Sequence, residues 1–436
     1  MVSGLRGKRR RRIVAAAAAA AVAGALLAAC GGGSDGRDTL VWYINPDPAP
    51  PADFQGAFGQ AGIAERCSTD RYRIETQQLP GDSTQQRIQL ARRLAADDTG
   101  IDLMSLDVPF AGEFADAGFL AEIPDDVASR LQEQGLEGAV NGATYDGRLV
   151  AAPLWSNIQL LWYRKSFADK TGVDPRQGIT WAELIDSAEE GGGTVGVQAN
   201  KYEGYVVWIN ALVMGAGGEI VTDLDQGAEA SIDINSDAGR AAASVIEKLA
   251  SSSAAESDLS VSNEGTVLGP FAGDSGAYQV NWTFIYNQYK SDEQVFDDLG
   301  WAPYPQTVDG QPSRPPLGGI NIGVNSSSGH IDEALEAMEC ITSVDNQVTY
   351  AIETGNMPSS GAAYDAAELA KAYPADLLEM FRSSIDVAGP RPITPYWSDI
   401  STALQSTWHP ADSVTEATPG RSAEFLREVL DGKRLL

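Results

Sequence analysis

Across residues 83–120 the hydrophobic positions change period twice. Ile88, Ala91, Leu94 and Ala95 recur at helical spacing. Ser83 and Gln86 have the S-x-x-Q spacing of a capping box, which predicts a helix starting at Ser83. The six residues IDLMSL that follow form a nearly unbroken apolar run, as in a strand buried on both faces of a parallel sheet. That strand stops at Asp107. Pro109 suits the first turn of a second helix, with Phe110, Phe114 and Ala117 facing one way and Gly118 suited to its C-cap. The unit puts a carboxylate at the carboxyl end of a buried strand, where open α/β sheets bind ligands. Asp107 is then either a ligand partner or a cap on the following helix.

The same reading gives a first strand at 39–44, ending at Asn45 and a proline-rich loop, a helix at 54–67 and a second strand at 72–79. Residues 125–140 read as helical and 145–153 as a hairpin-like strand pair. Residues 158–163 read as another apolar strand, with a polar loop at 154–157 before it. Alternating β and α elements predict an α/β fold with a doubly wound sheet. A mature chain of about 400 residues exceeds a single core, so two domains are expected.

The amino terminus changes the picture of the whole chain. Arg6, Lys8 and Arg9 to Arg12 precede an alanine-rich apolar run that ends in LAAC, the pattern of an export signal over residues 1–29. Leu27, Ala28 and Ala29 before Cys30 resemble a bacterial lipobox, which implies acylation of Cys30 and a membrane anchor on the outer face. An ordinary soluble export signal is the alternative, and the arginine run leaves both general and twin-arginine export open. Residues 30–37 read as a flexible tether. Losing the six basic residues of the leader takes the net charge from −29 to −35. Such a surface does not seek nucleic acid. If Cys30 carries lipid, Cys67 and Cys340 remain in an oxidising compartment, as a disulfide or as two buried thiols.

A strand ending in AAP, a polar segment and a strand ending in WYRKSF are similar to the lobe crossing of extracytoplasmic solute-binding proteins of sugar ABC importers. ITWAEL, VVWINALVMGAGGEI, FAGDSGAYQVNW, GWAPYP, GGINIGV and GNMPSS follow in that family's order. The ordered set most resembles its trehalose-binding branch. The resemblance implies a two-lobed periplasmic-binding-protein-like fold of the maltose-binding-protein type, with discontinuous lobes and a hinge. Lobe 1 would comprise 38–154 and 313–355, and lobe 2 would comprise 155–312 and 356–436. It also implies a monomer that delivers a disaccharide, trehalose first, then maltose or a related α-glucoside, to two permease subunits driven by a separate ATPase.

The residues offer little to catalysis. His330 and His409 stand far apart in ordinary contexts, and no metal-ligand spacing, cofactor motif or phosphate loop is visible. A glycosidase using Asp107 and Glu264 is the one enzymatic alternative; a sensing module without transport is the other. Sugar binding needs aromatic faces for apolar ring surfaces and carboxylates, amides and arginine for hydroxyls. The resemblance places Trp282 as a stacking platform and Glu264 as a hydroxyl acceptor, against a core tryptophan and a loop charge. Asn157 fits an amide that donates and accepts, or a turn residue. Arg391, boxed by prolines in GPRPITPYW, can fork onto hydroxyls or carboxylates, or form a surface ion pair. Gly319 and Ile320, after Gly318, let backbone groups approach a ligand. Asn45 and Gln86 complete the set. Trp155 and Trp397 are the residues expected to reshape the cleft.

Overall fold

The computed structural model describes residues 36–51 and 54–435. Cys30, the leader and most of the tether lie outside the described residues. Nine strands form one mixed sheet. They are β1 (Asp38–Ile44), β2 (Tyr72–Gln78), β3 (Leu103–Asp107), β4 (Ala152–Arg164), β5 (Thr194–Gly196), β6 (Gly276–Trp282), β7 (Leu299–Ala302), β8 (Pro316–Val324) and β9 (Gly389–Pro390). The order is β2-β1-β3-β8-β4-β6-β5, with β7 on β4 and β9 on β8. β1 runs parallel to β2 and β3, while β8 runs antiparallel to both β3 and β4.

One strand, β4, belongs to both halves of this sheet. The first part of β4 pairs with β8, from Ala152 opposite Ile322 to Ile158 opposite Leu317. Its second part pairs with β6 and β7, from Gln159 opposite Trp282 to Arg164 opposite Leu299. The expected polar loop at 154–157 is therefore strand. Leu154 and Trp155 are buried, and the polar atoms of Ser156 and Asn157 find partners in the 356–357 segment, so nothing forces the chain to break there. The hairpin expected at 145–153 shrinks to a two-plus-two ribbon at Thr144–Tyr145 and Arg148–Leu149.

The first half is covered by α1 (Gly59–Cys67), α2 (Ser83–Leu94), α3 (Asp125–Gln134) and, after the chain returns, two further helices at Ile331–Ile341 and Val344–Thr354. Its core gathers Leu40, Trp42, Ile44, Ile63, Ile322 and Met338. Cys67 and Cys340 form a disulfide across this core, with Cα atoms 5.8 Å apart. The first helix starts at Gly59 rather than near Phe54, because the proline-rich segment before it is irregular and Gly59 needs φ +58. α2 starts at Ser83 as expected, but its cap differs. Asp82, not Ser83, is the cap and accepts from the Gln85 backbone, while Gln86 donates to the Pro80 carbonyl at 2.7 Å instead of closing a capping box. The buried face is Gln86, Leu90 and Leu94; of the predicted positions Leu94 lies on it, Ile88 and Ala91 are half-buried and Ala95 is exposed. After β3, Phe110 and Phe114 are buried as expected, but Ala117 is exposed. The second half holds an almost wholly buried helix, Glu203–Gly215, whose Trp208 packs against Trp181, with Trp397–Trp408 packed beside it.

Candidate functional site

A cleft of about 360 Å³ opens at the ends of β1, β3 and β6, where β4 passes from one half-sheet to the other. That volume lies at the small end of the range for small-molecule sites, about 300–1,000 Å³. Asn45, Gln86, Asp107, Asn157, Glu264, Trp282, Gly319, Ile320 and Arg391 all border it. They come from eight separate stretches of chain, brought together by strand register. Ile320 of β8, for example, sits opposite Asp107 of β3 on one side and Trp155 of β4 on the other.

A buried ion cluster forms one wall. Arg391 is 4 % exposed and directs its fork at Asp107, with Nη2 to Oδ1 at 2.8 Å and Nη1 to Oδ2 at 3.1 Å. Its Nη1 also donates to Glu203 Oε1 at 2.7 Å. Asp107 therefore makes no helix cap; the helix after it has no side-chain cap. Arg391 is no surface ion pair either. Proline on each side and the pairing of β9 with β8 hold its backbone. Burial opposes the Arg391 charge, but Asp107 and Glu203 together push its pKa up. Glu203 is 1 % exposed; burial raises its pKa against the pull of Arg391, and Trp397 Nε1 (2.8 Å) and the Ser401 hydroxyl donate to it. Trp397 thus acts through Glu203 and does not line the cleft. The Arg391 Nε is buried without a partner.

The opposite wall is aromatic. Trp282 ends β6, half-buried, and its ring lies against Gly318. A methyl group there would meet Cη2 at 2.7 Å and Cζ3 at 2.8 Å. Gly319 has φ +142, and a methyl group on it would come within 2.3 Å of the Trp155 carbonyl oxygen. The glycine pair is therefore what lets two tryptophans flank one cleft floor. Glu264 beside Trp282 is not a solvated loop charge: it accepts from the Tyr202 hydroxyl at 2.7 Å, and burial raises its pKa despite that bond. Burial, then Glu264, pushes the Tyr202 phenol well up, so it stays a donor.

Amides and one more acid complete the lining. Asn157 accepts from Thr283 Oγ1 (3.0 Å) and the Met357 backbone (2.9 Å) and donates to Asn356 (2.8 Å), so most of its capacity cross-links the halves. Asp47 accepts from Tyr350 at 2.6 Å and from Gln60, and burial raises its pKa. Tyr350 stacks on Trp155 at 4.9 Å. Asn45 Oδ1 is buried with no partner. Asp47, Tyr202, Glu203, Phe284 and Asn356 were not singled out from the sequence. Glu203 had a signal: it opens a helix that is apolar all round, so a charge in its first turn had to be buried with a partner. Asp47, one acid in a proline-rich loop, had none. Among the described residues no group of histidine, cysteine and acidic side chains is placed to hold a metal ion. None of their helices is long and apolar enough to cross a membrane.

Two half-sheets joined by one through-running strand, with a polar and aromatic cleft at the junction, define a two-lobed binding protein. Residues 51–348 match the family model of the bacterial extracellular solute-binding proteins, and the chain belongs to that family. A probable ABC transporter-binding protein of Deinococcus radiodurans is 22% identical over 351 residues, 76% of this chain and 80% of that one. Maltose-bound MalE3 of T. maritima has the same fold, with a TM-score of 0.78 at 23% identity over 91% of this chain and 100% of that one. The GacH receptor of Streptomyces glaucescens, solved unliganded and with acarbose, has a TM-score of 0.74 at 20% identity over 91% and 98%.

Proposed function

We propose that this chain is the substrate-binding lipoprotein of an ABC sugar importer and that its ligand is a disaccharide, trehalose first, maltose or a related α-glucoside next. The observation that carries the reading is the cleft itself. It combines one exposed tryptophan face, an arginine–carboxylate fork and several acceptors in a space of disaccharide size. A hydroxyl-rich ring has apolar faces for Trp282 and donors for Asp107, Glu264 and Asn45. The maltose and acarbose complexes of proteins with the same fold support a sugar in this cleft.

In this reading the halves act as lobes, 38–154 with 313–355 and 155–312 with 356–436, and β4 runs through the hinge between them. Ligand contacts made from both sides favour the closed form, which two permease subunits then receive while a separate ATPase drives import. Cys30 supplies the lipid anchor, and the protein works as a monomer. The test is a thermal-shift and calorimetric screen with trehalose, maltose, maltotriose, sucrose and glucosylglycerol. Trehalose should raise Tm, by an amount that grows with the logarithm of its excess over Kd. Silence towards the whole panel overturns the reading of the ligand as a neutral disaccharide. Trehalose should also remain intact on prolonged incubation; release of glucose would instead support the exported glycosidase built on Asp107 and Glu264.

A further inference from the structure

The hydrogen-bonding inventory of the cleft is unbalanced. Asp47, Asp107, Glu203 and Glu264 bring four carboxylates to its lining, and Arg391 brings the one cation; no lysine or histidine borders it among the described residues. Arg391 is already divided between Asp107 and Glu203. Asp47 and Glu264 have only neutral donors. Gln60 and Tyr350 donate to the first, and Tyr202 donates to the second. Both phenols are held in their protonated form by burial and by the acid beside them, so neither can relieve its partner's charge by changing state. Next to Asp47, the buried Asn45 Oδ1 has no donor at all.

These groups ask for donors and for positive charge. A hydroxyl offers one donor, no charge, and lone pairs that must be turned away from the acid. An ammonium offers three donors, no acceptor and a full charge. Charge-assisted bonds of that kind are roughly twice as strong as neutral ones. Carboxylates withdrawn from water are costly until a cation or a proton meets them, and ligand closure over Asp47 and Glu264 withdraws them further. Uronates and sugar phosphates meet the opposite balance and are repelled.

We infer that the cleft is built for a basic sugar, a disaccharide in which an amino group replaces one hydroxyl, and that it takes neutral disaccharides less tightly. The inference rests on the sugar reading above and narrows its substrate class. The experiment is calorimetry on the mature chain at neutral pH with trehalose and with the four mono-amino trehaloses that carry the amine at carbon 2, 3, 4 or 6. At least one should bind about tenfold or more tighter than trehalose, the size of one added charge-assisted bond. Its advantage should vanish near about pH 9.5, where a sugar amine has lost its proton and its charge while the carboxylates stay ionised. Asp47→Asn or Glu264→Gln should shrink the ratio of amine to trehalose affinity, whichever acid meets the amine. If all four amines bind more weakly than trehalose, the inference falls and the sugar reading stands. If an amine binds and trehalose does not, the inference holds and only the choice of trehalose is lost. If neither trehalose nor any amine binds, and the neutral panel is silent too, the sugar reading itself has failed.

Discussion

Gly318→Ala perturbs the proposed site without touching any polar group in it. The new methyl would stand 2.7 Å from Trp282 Cη2 and 2.8 Å from Cζ3. Carbon atoms settle at about 3.5–4.0 Å, so the indole must withdraw by roughly 1 Å. Gly318 lies in β8, paired with Asn157, and its φ is not in the left-handed region, so the strand can accept alanine. The repacking costs about 1–3 kcal/mol of stability, which a chain of this size tolerates. A displaced platform loses stacking worth about 0.5–1.5 kcal/mol. One hydroxyl bond set out of register by the shift loses about 1 kcal/mol more. Sugar affinity should therefore fall roughly ten- to hundredfold. Calorimetry with the best ligand of the screen measures the loss, and tryptophan fluorescence with a melting curve shows that the fold persists. Pairing Gly318→Ala with Trp282→Leu tests the route: once the ring is gone, the methyl should cost little more, a clear departure from additivity. Wild-type affinity in a folded Gly318→Ala protein would refute the claim that the Trp282 face carries the ligand.

Asp107→Ala should weaken sugar binding by about 2–4 kcal/mol through lost charge-assisted bonds and unpaired ligand hydroxyls. Arg391 keeps Glu203 at 2.7 Å, so the variant should fold, and Asp107→Asn should lose less; calorimetry beside circular dichroism decides. Glu256, 6 % exposed in the second half with Oε1 unpartnered, should give stability a pH dependence. Burial, helped by Asp258, raises its pKa from 4.5 to about 7. The folded state then holds the proton more tightly than the unfolded one. This contribution is complete below 4.5, fades as pH rises through 7, and amounts to about 3 kcal/mol. Glu256→Gln should remove it, so denaturant curves at pH 4.5 and pH 8 that shift in parallel for both proteins would exclude the effect. Replacing Cys67 and Cys340 together by serine should lower stability by up to about 5 kcal/mol, given their sequence separation of 273, with sugar affinity unchanged in the folded fraction.

The legible parts of the fold were those where one physical signal dominates. An unbroken apolar run reads as a buried strand, and Pro109 with Gly118 bounds the helices after it. Asp107 was legible as a candidate because its place at a strand end follows from local pattern alone. Its partner could not be read from that pattern: Arg391 lies 284 residues away and reaches Asp107 only through the β9–β8–β3 register. The error at 154–157 has the same origin. Ser156 and Asn157 read as loop because they are polar, but they are buried against a return segment about 200 residues later that supplies their partners. The helix does start at Ser83, but the capping box expected there failed for a different reason. Two adjacent residues, Asp82 and Ser83, can both cap, and the acid took the position, which left Gln86 free to face the cleft.

The disulfide has a topological consequence for a protein exposed to extracellular proteases. Cys67 and Cys340 close a covalent ring that contains β2 to β8 and the whole first passage through the second half. A single nick anywhere inside that ring, in an exposed turn such as 308–312, does not divide the molecule. Both pieces stay linked, and the strands on either side of the break remain paired in the same sheet. On a denaturing gel such a nicked chain would run as one band until it is reduced, and only then as two.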